Sequence, residues 1–170
     1  EFHFSMLQRL CSDISEKHSA LQGISRQELL RRNCVFLLSR MSIQILQMPQ
    51  GGQSVTLHTY EEQPQGVQYL RYFTIEDENK HRLLQAETRW VLVDPQTHRI
   101  LRPKAAQLPF VYGEIPAFPG LPAADKLLAG DEETPVYQTK VGYAQIDMNG
   151  HMNNARYADL VENALSHRLL

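Results

Sequence analysis

The sequence predicts an α+β fold, in which a long helix leads a run of antiparallel strands and a second helix-and-strand unit opens near the C-terminus. Three observations carry this. Leu7, Leu10, Cys11 and Ile14 follow the i, i+3, i+4, i+7 spacing of a helix with one buried stripe. From residue 34 the apolar positions instead alternate, in runs separated by short polar or Gly/Pro turns. The links between those runs are of hairpin length, too short for crossover helices, which excludes a parallel βαβ sheet.

In chain order, the first helix is expected over residues 4–20, ended by Gly23. Ser25-Arg26-Gln27-Glu28 has the S-x-x-E form of a capping box and opens a short second helix through Arg32, with Arg26, Arg31 and Arg32 on its solvated side. A long strand runs from Cys34 through Ile45, and Pro49, Gly51 and Gly52 mark a turn. Val55, Leu57 and Thr59 alternate with polar neighbours up to a break at residues 63–66. The third run puts Tyr69, Arg71, Phe73 and Ile75 on one face, and the fourth spans residues 82–93. Asp94-Pro95-Gln96-Thr97 has the form of a type I turn before a short strand at 99–101.

Six of the nine prolines fall between Pro103 and Pro135, where periodicity fades. Proline fixes φ and removes a donor, so this stretch is expected to run extended over the surface, with a short helix at 123–128. A strand is then expected over 136–143, and Ala158, Val161 and Leu165 give a final helix its buried stripe.

A chain of 170 residues with a formal charge of −2 and 21% charged residues has an ordinary surface, without the basic excess of a nucleic-acid partner. No apolar run approaches the roughly 20 residues that cross a bilayer, and the N-terminus lacks the order of a secretory signal, so no membrane partner and a cytoplasmic setting are expected. Cys11 and Cys34 offer neither a metal spacing nor a disulfide framework, and Cys11 reads as a small buried hydrophobe. The seven histidines form no H-x-x-x-H or H-x-H pair, and no structural metal is expected.

The densest polar stretch is Tyr143 to Tyr157, between the last expected strand and the last helix. Asp147, Asn149, His151, Asn153 and Asn154 crowd one turn. Asn and Gly tolerate left-handed backbone and Asn caps helices, so composition alone leaves a plain turn with a cap as open as a reaction centre.

The motif Asp147-x-Asn149-x-His151-x-Asn153-Asn154-x-x-Tyr157 resembles the active-site segment of the acyl-acyl carrier protein thioesterases of bacteria and plant plastids. Phe36-Leu37-Leu38-Ser39-Arg40-x-x-Ile43-x-Ile45 resembles their first-domain signature, and Arg71-x-Phe73-x-Ile75-x-Asp77 and Trp90-x-x-Val93-Asp94 resemble their middle hairpins. The resemblance implies a bacterial member with tandem hotdog domains, each a long helix wrapped by a curved antiparallel sheet. Residues 1–103 would form the N-terminal hotdog without its first strand, 104–135 a proline-rich linker, and 136–170 the start of a truncated C-terminal hotdog.

The same resemblance implies a cofactor-free thioesterase that hydrolyses acyl-acyl carrier protein (acyl-ACP) to free fatty acid and terminates fatty acid synthesis. Its partner would be a strongly acidic carrier protein bearing the acyl thioester, steered by Arg and Lys near the tunnel mouth. A homodimer stays open. Asp147, Asn149 and His151 match the family's catalytic positions, while an acidic residue of the plant enzymes falls on a strand beyond residue 170. Met41, Ile43, Phe73 and Leu92 are candidate tunnel residues, each reading first as ordinary core, as do Trp90 and Tyr157.

Thioester hydrolysis needs a nucleophile, a means of activating it and donors for the developing oxyanion. Asp147 could orient or deprotonate a water or attack directly, His151 could share proton transfer near neutral pH, and Asn149 would position the water. The backbone N–H groups at the start of the last helix, with Asn153 and Asn154 as caps, offer a rest for the acyl oxygen. No G-x-S-x-G elbow, G-x-G-x-x-G or P-loop competes. Two rivals remain: a hotdog thioesterase acting on acyl-coenzyme A, and a non-catalytic acyl-binding hotdog module.

Overall fold

The computed structural model describes residues 3–128, 137–147 and 150–165. The chain divides into two compact units, Asp13–Lys126 and a second made of Glu1–Ser12 with Leu127–Leu170. Helix α1, Phe4–Leu21, contributes its first turns to the second unit and its last turns to the first. Its apolar stripe is buried at Leu7 and Cys11, and burial pushes the Cys11 thiol up to about 12, as expected of a small hydrophobe.

The larger unit is built on one four-stranded antiparallel sheet. Its strands are β1 (Val35–Ile45), β2 (Val55–Gln65), β3 (Gln68–Asp77) and β4 (Arg82–Val93), in the order β1-β4-β3-β2. Tight turns join β2 to β3 and β3 to β4. The β1–β2 link is not a hairpin, because β1 pairs with β4 and leaves β2 at the opposite edge. β2 continues through the expected break at 63–66: a register shift between Glu62 and Gln65 absorbs Gln63 and Pro64, so only Gly66 and Val67 turn the chain. The short strand expected at 99–101 reduces to a single bridge between Val93 and Ile100.

Helix α2, Arg26–Arg31, starts where the sequence indicated, with Ser25 Oγ accepting the Glu28 N–H at 3.2 Å. Only that half of the capping box forms. The Glu28 carboxylate turns instead to Arg31 and Arg32, at 2.8 and 2.6 Å, which hold it down at about 2.

Register places Leu57, Thr59 and Glu61, Arg71, Phe73 and Ile75, and Leu84, Ala86 and Thr88 on one sheet face. Arg71 of that face meets the end of α1, where it donates to Ser19 Oγ at 3.1 Å. One end of the sheet is sealed by Cys34, Tyr69 and Leu92, with Phe36, Trp90, Leu108 and Phe110 packed around them. Phe36 meets Tyr69 edge to face at 4.9 Å. Trp90 thus lies at the core, with its indole N–H on Thr88 Oγ1.

The proline-rich stretch is more tightly held than a surface arm. Helix α3, Pro103–Ala106, forms where Pro103 pre-sets φ for the first helical turn, which the sequence reading did not anticipate. Beyond it, residues 115–124 strap the other sheet face. Phe118 stacks on Tyr72 at 4.8 Å under the Arg82 guanidinium, and Gln85 donates to Pro119 O at 2.8 Å. The helix expected at 123–128 is absent, because the Ala124 N–H goes to Glu87 Oε1 and the Asp125 N–H to Ala123 O.

In the smaller unit, residues 137–142 form no strand, which corrects the expectation for 136–143. Among the described residues no strand lies beside this stretch, and alternation without a ladder partner leaves irregular chain. A 3₁₀ turn, Tyr143–Gln145, follows, and helix α4 spans Asn154–Ala164. The expected stripe of α4 is also corrected. Val161 is 55% exposed and Tyr157 56%, so neither packs, whereas Ala155 is buried and Glu162 accepts the Phe4 N–H from α1 at 2.9 Å.

Candidate active site

The polar stretch folds into a narrow hairpin between the 3₁₀ turn and α4. Ile146 and Met152 form an antiparallel bridge, and the Asp147 N–H donates to His151 O at 2.8 Å. The Gly150 N–H returns to Asp147 O at 3.0 Å, closing a four-residue turn. Gly150 has φ +77°, with open space around the position a Cβ would take, so glycine is favoured by backbone conformation alone. Below the hairpin, the Asn153 N–H on Gln145 O at 2.9 Å ties its exit to the 3₁₀ turn.

This closure brings two of the predicted site residues together. The His151 backbone N–H donates to Asp147 Oδ1 at 3.3 Å, so the carboxylate leans over the turn that presents the exposed imidazole. Asn149 lies outside the described residues. Asn153 is the N-cap of α4, its Oδ1 accepting the Ala155 N–H at 2.9 Å, and Asn154 is the first helical residue. The capping role thus belongs to Asn153. The first N–H groups of α4 follow the hairpin directly, so a carboxylate, an imidazole and a helix N-terminus lie within a few residues.

Sequence reasoning missed a second polar constellation, inside the larger unit. Arg71 and Glu61 are both buried and are hydrogen-bonded to each other across β2 and β3. Arg71 also reaches Thr59 Oγ1 at 3.1 Å and His18 Nδ1 at 3.2 Å. Gln22 donates to Glu61 Oε2 at 3.2 Å and, through its carbonyl, accepts the Val111 N–H at 3.1 Å. The network therefore joins α1, β2, β3 and the chain after α3. Burial pushes the Arg71 guanidinium down to about 10, still charged at neutral pH. Burial, then the Arg71 charge, lowers the His18 imidazole. The Glu61 carboxylate 3.5 Å from His18 would act the other way, but Arg71 already satisfies it. The signal was present in the sequence, where Arg71 sits between Tyr69 and Phe73 on an otherwise apolar face.

The other sheet face carries a cavity of about 360 Å³ under the strap, lined by Glu62, Tyr72, Glu87, Pro116 and Phe118 among others. Tyr72 Oη donates to Glu62 Oε2 at 2.9 Å there. Among the described residues, no three His, Cys, Asp or Glu side chains gather where they could hold a metal ion, and no helix is long and apolar enough to cross a membrane.

An antiparallel sheet with a long helix against one face, followed by a polar hairpin leading into a second helix, defines an α+β protein of the hotdog class. The Acyl-ACP thioesterase N-terminal domain matches residues 2–105, and the Acyl-ACP thioesterase C-terminal domain matches residues 129–170. The chain belongs to the acyl-ACP thioesterase family. No curated protein matches it by sequence.

Solved structures share the fold at low identity. A putative oleoyl thioesterase from Lactobacillus plantarum superposes with a TM-score of 0.76 at 23% identity, over 98% of this chain and 65% of that one. An acyl-ACP thioesterase from Bacteroides thetaiotaomicron gives 0.71 at 18% identity, over 99% and 68%. The 12:0-ACP thioesterase from Umbellularia californica gives 0.75 at 16% identity, over 96% and 69%. The chain thus spans about two thirds of the length of these structures.

Proposed function

We propose that the protein hydrolyses acyl-ACP to free fatty acid and carrier protein, in the cytoplasm, as the step that terminates fatty acid synthesis. The observation that carries this is the ordered match of both family domains, with the Asp147–His151 hairpin inside the second. In the same reading, residues 1–103 are the N-terminal hotdog, 104–135 the linker and 136–170 the opening of the second hotdog.

In this mechanism the acyl carbonyl rests at the N-terminus of α4, whose dipole stabilises the oxyanion of the tetrahedral intermediate. Asp147 takes the proton of an attacking water, which Asn149 positions, and the hydroxide adds to the carbonyl carbon. Collapse breaks the C–S bond, and the proton taken by Asp147 passes through His151 to the departing thiolate. Asn153 holds the helix start in place through its cap.

The test is the ratio of kcat/KM for one acyl group carried on acyl carrier protein and on coenzyme A, with the full-length protein. A preference for the carrier-protein thioester supports the proposal. Equal or better turnover of acyl-coenzyme A assigns the rival hotdog activity, and hydrolysis of neither leaves an acyl-binding module.

A further inference from the structure

We infer that the corner formed by α2 and the 94–107 segment is a docking surface for an acidic protein, the carrier that presents the acyl thioester. This rests on the function proposed above and adds where on the chain the carrier binds.

The charge of the chain is strongly segregated. Residues 26–33 carry Arg26, Arg31 and Arg32 against Glu28, and residues 94–107 carry Arg99, Arg102 and Lys104 against Asp94. The corner is therefore formally +4 in a chain of −2, which leaves −6 on the remainder. All six cations are exposed.

The two segments are one surface rather than two. Arg32 Nη1 donates to Ala106 O and Gln107 O at 3.4 and 3.5 Å, and Asn33 Nδ2 to Asp94 Oδ2 at 3.0 Å. Beneath them Leu29 packs into the same cluster as Leu101, Ala106 and Leu108.

Most cations elsewhere with a partner are consumed by the fold. Arg71 is buried with Glu61, Arg82 lies over Phe118, Arg89 holds Glu87 and Arg156 holds Asp159. Glu28 neutralises one charge of the Arg31–Arg32 pair. The side chains of Arg99, Arg102 and Lys104 make no hydrogen bond or ion pair with any described residue. Holding three like charges uncompensated beside α2 costs self-repulsion that a neutral surface avoids, and an acidic partner relieves it.

Leu30 and Ile100 are exposed on the same two segments, at 45% and 52%. Apolar side chains among cations suit a folded acidic protein, which brings its own apolar residues, better than a phosphate backbone. The acidic remainder of the chain would also repel an extended polyanion.

The test measures direct binding, which does not depend on turnover. The full-length protein is titrated with an acyl carrier protein whose acyl group is attached by a non-hydrolysable amide, in low and in high salt. The Arg99→Glu/Arg102→Glu/Lys104→Glu variant is expected to bind at least about tenfold more weakly in low salt, and the difference is expected to shrink in high salt. A Lys17→Glu/Lys126→Glu variant, altered at exposed cations outside residues 26–33 and 94–107, is expected to bind like the wild type. Hydrolysis of a small acyl thioester lacking a carrier is measured in parallel and is expected to be equal in all three proteins. Absence of carrier binding by the wild type, equal binding by the corner variant, or an equal loss in the Lys17/Lys126 variant would overturn the docking surface. So would a corner-dependent preference for tRNA or anionic phospholipid vesicles over the carrier. If acyl-ACP is not hydrolysed while the amide-linked carrier binds at the corner, the enzymatic reading fails and the surface stands.

Discussion

The Asp147 carboxylate accepts the backbone N–H of His151, four residues on, across a turn closed by Gly150. The carboxylate therefore has a structural use besides any chemistry, and the two are separable. Asparagine keeps an oxygen acceptor in place and alanine does not. Asp147→Asn is expected to unfold at the same urea midpoint as the wild type, while Asp147→Ala loses about 1 kcal/mol. Equal losses in both would mean that the carboxylate charge, not the acceptor, holds the hairpin.

Asn153 caps α4 through its bond to the Ala155 N–H. Asn153→Ala is expected to cost about 1 kcal/mol in chemical denaturation, with Asn153→Asp nearly neutral and Asn154→Ala well below the cap loss. A larger effect at Asn154 would move the helix start by a residue.

Arg71 and Glu61 form a buried ion pair that no single-site change can remove without stranding a charge. Arg71→Met is expected to destabilise by about 3–5 kcal/mol, read from urea unfolding, and the Arg71→Met/Glu61→Met double variant by much less. Additive losses would show that each side chain acts through separate partners.

His18 carries a lowered folded-state pKa, from burial first and the neighbouring Arg71 second, with Glu61 engaged by that arginine and Gln22 on its other nitrogen. Above its ordinary value near 6.5 the imidazole is neutral in both folded and unfolded chains. As pH falls below that value the unfolded chain binds the proton first, so stability declines until the folded imidazole also titrates. Thermal unfolding followed from pH 7.5 to 5 is expected to show a fall in Tm that His18→Gln reduces. An unchanged pH slope in the variant would assign the fall to other groups.

How much of this was readable depended on whether a signal is local. The stripe at Leu7 and Cys11, the strand runs of β3 and β4, and the Ser25 cap all act within a turn or two, and each appeared where expected. The meeting of Asp147 and His151 is likewise local, being four residues across a glycine turn. Alternation at residues 137–142 misled, because a strand exists only if a neighbour completes its ladder, and apolar spacing does not reveal that neighbour. Val161 misled in the same way, since the apolar spacing of α4 does not say which face meets α1. The Arg71–Glu61 pair and the strap depend on pairings across 10 and more than 30 residues, set by register and by Phe118 finding Tyr72. Only the misplaced charge of Arg71 hinted at them.

The most direct test of the proposed reaction centre is release of free fatty acid from acyl-ACP by the full-length protein and its Asp147→Asn variant, compared at equal folded fraction. Steady hydrolysis by the wild type is expected, with a loss of about 10²-fold or more in kcat in the variant and an unaltered unfolding midpoint. Wild-type turnover retained by Asp147→Asn would contradict that expectation.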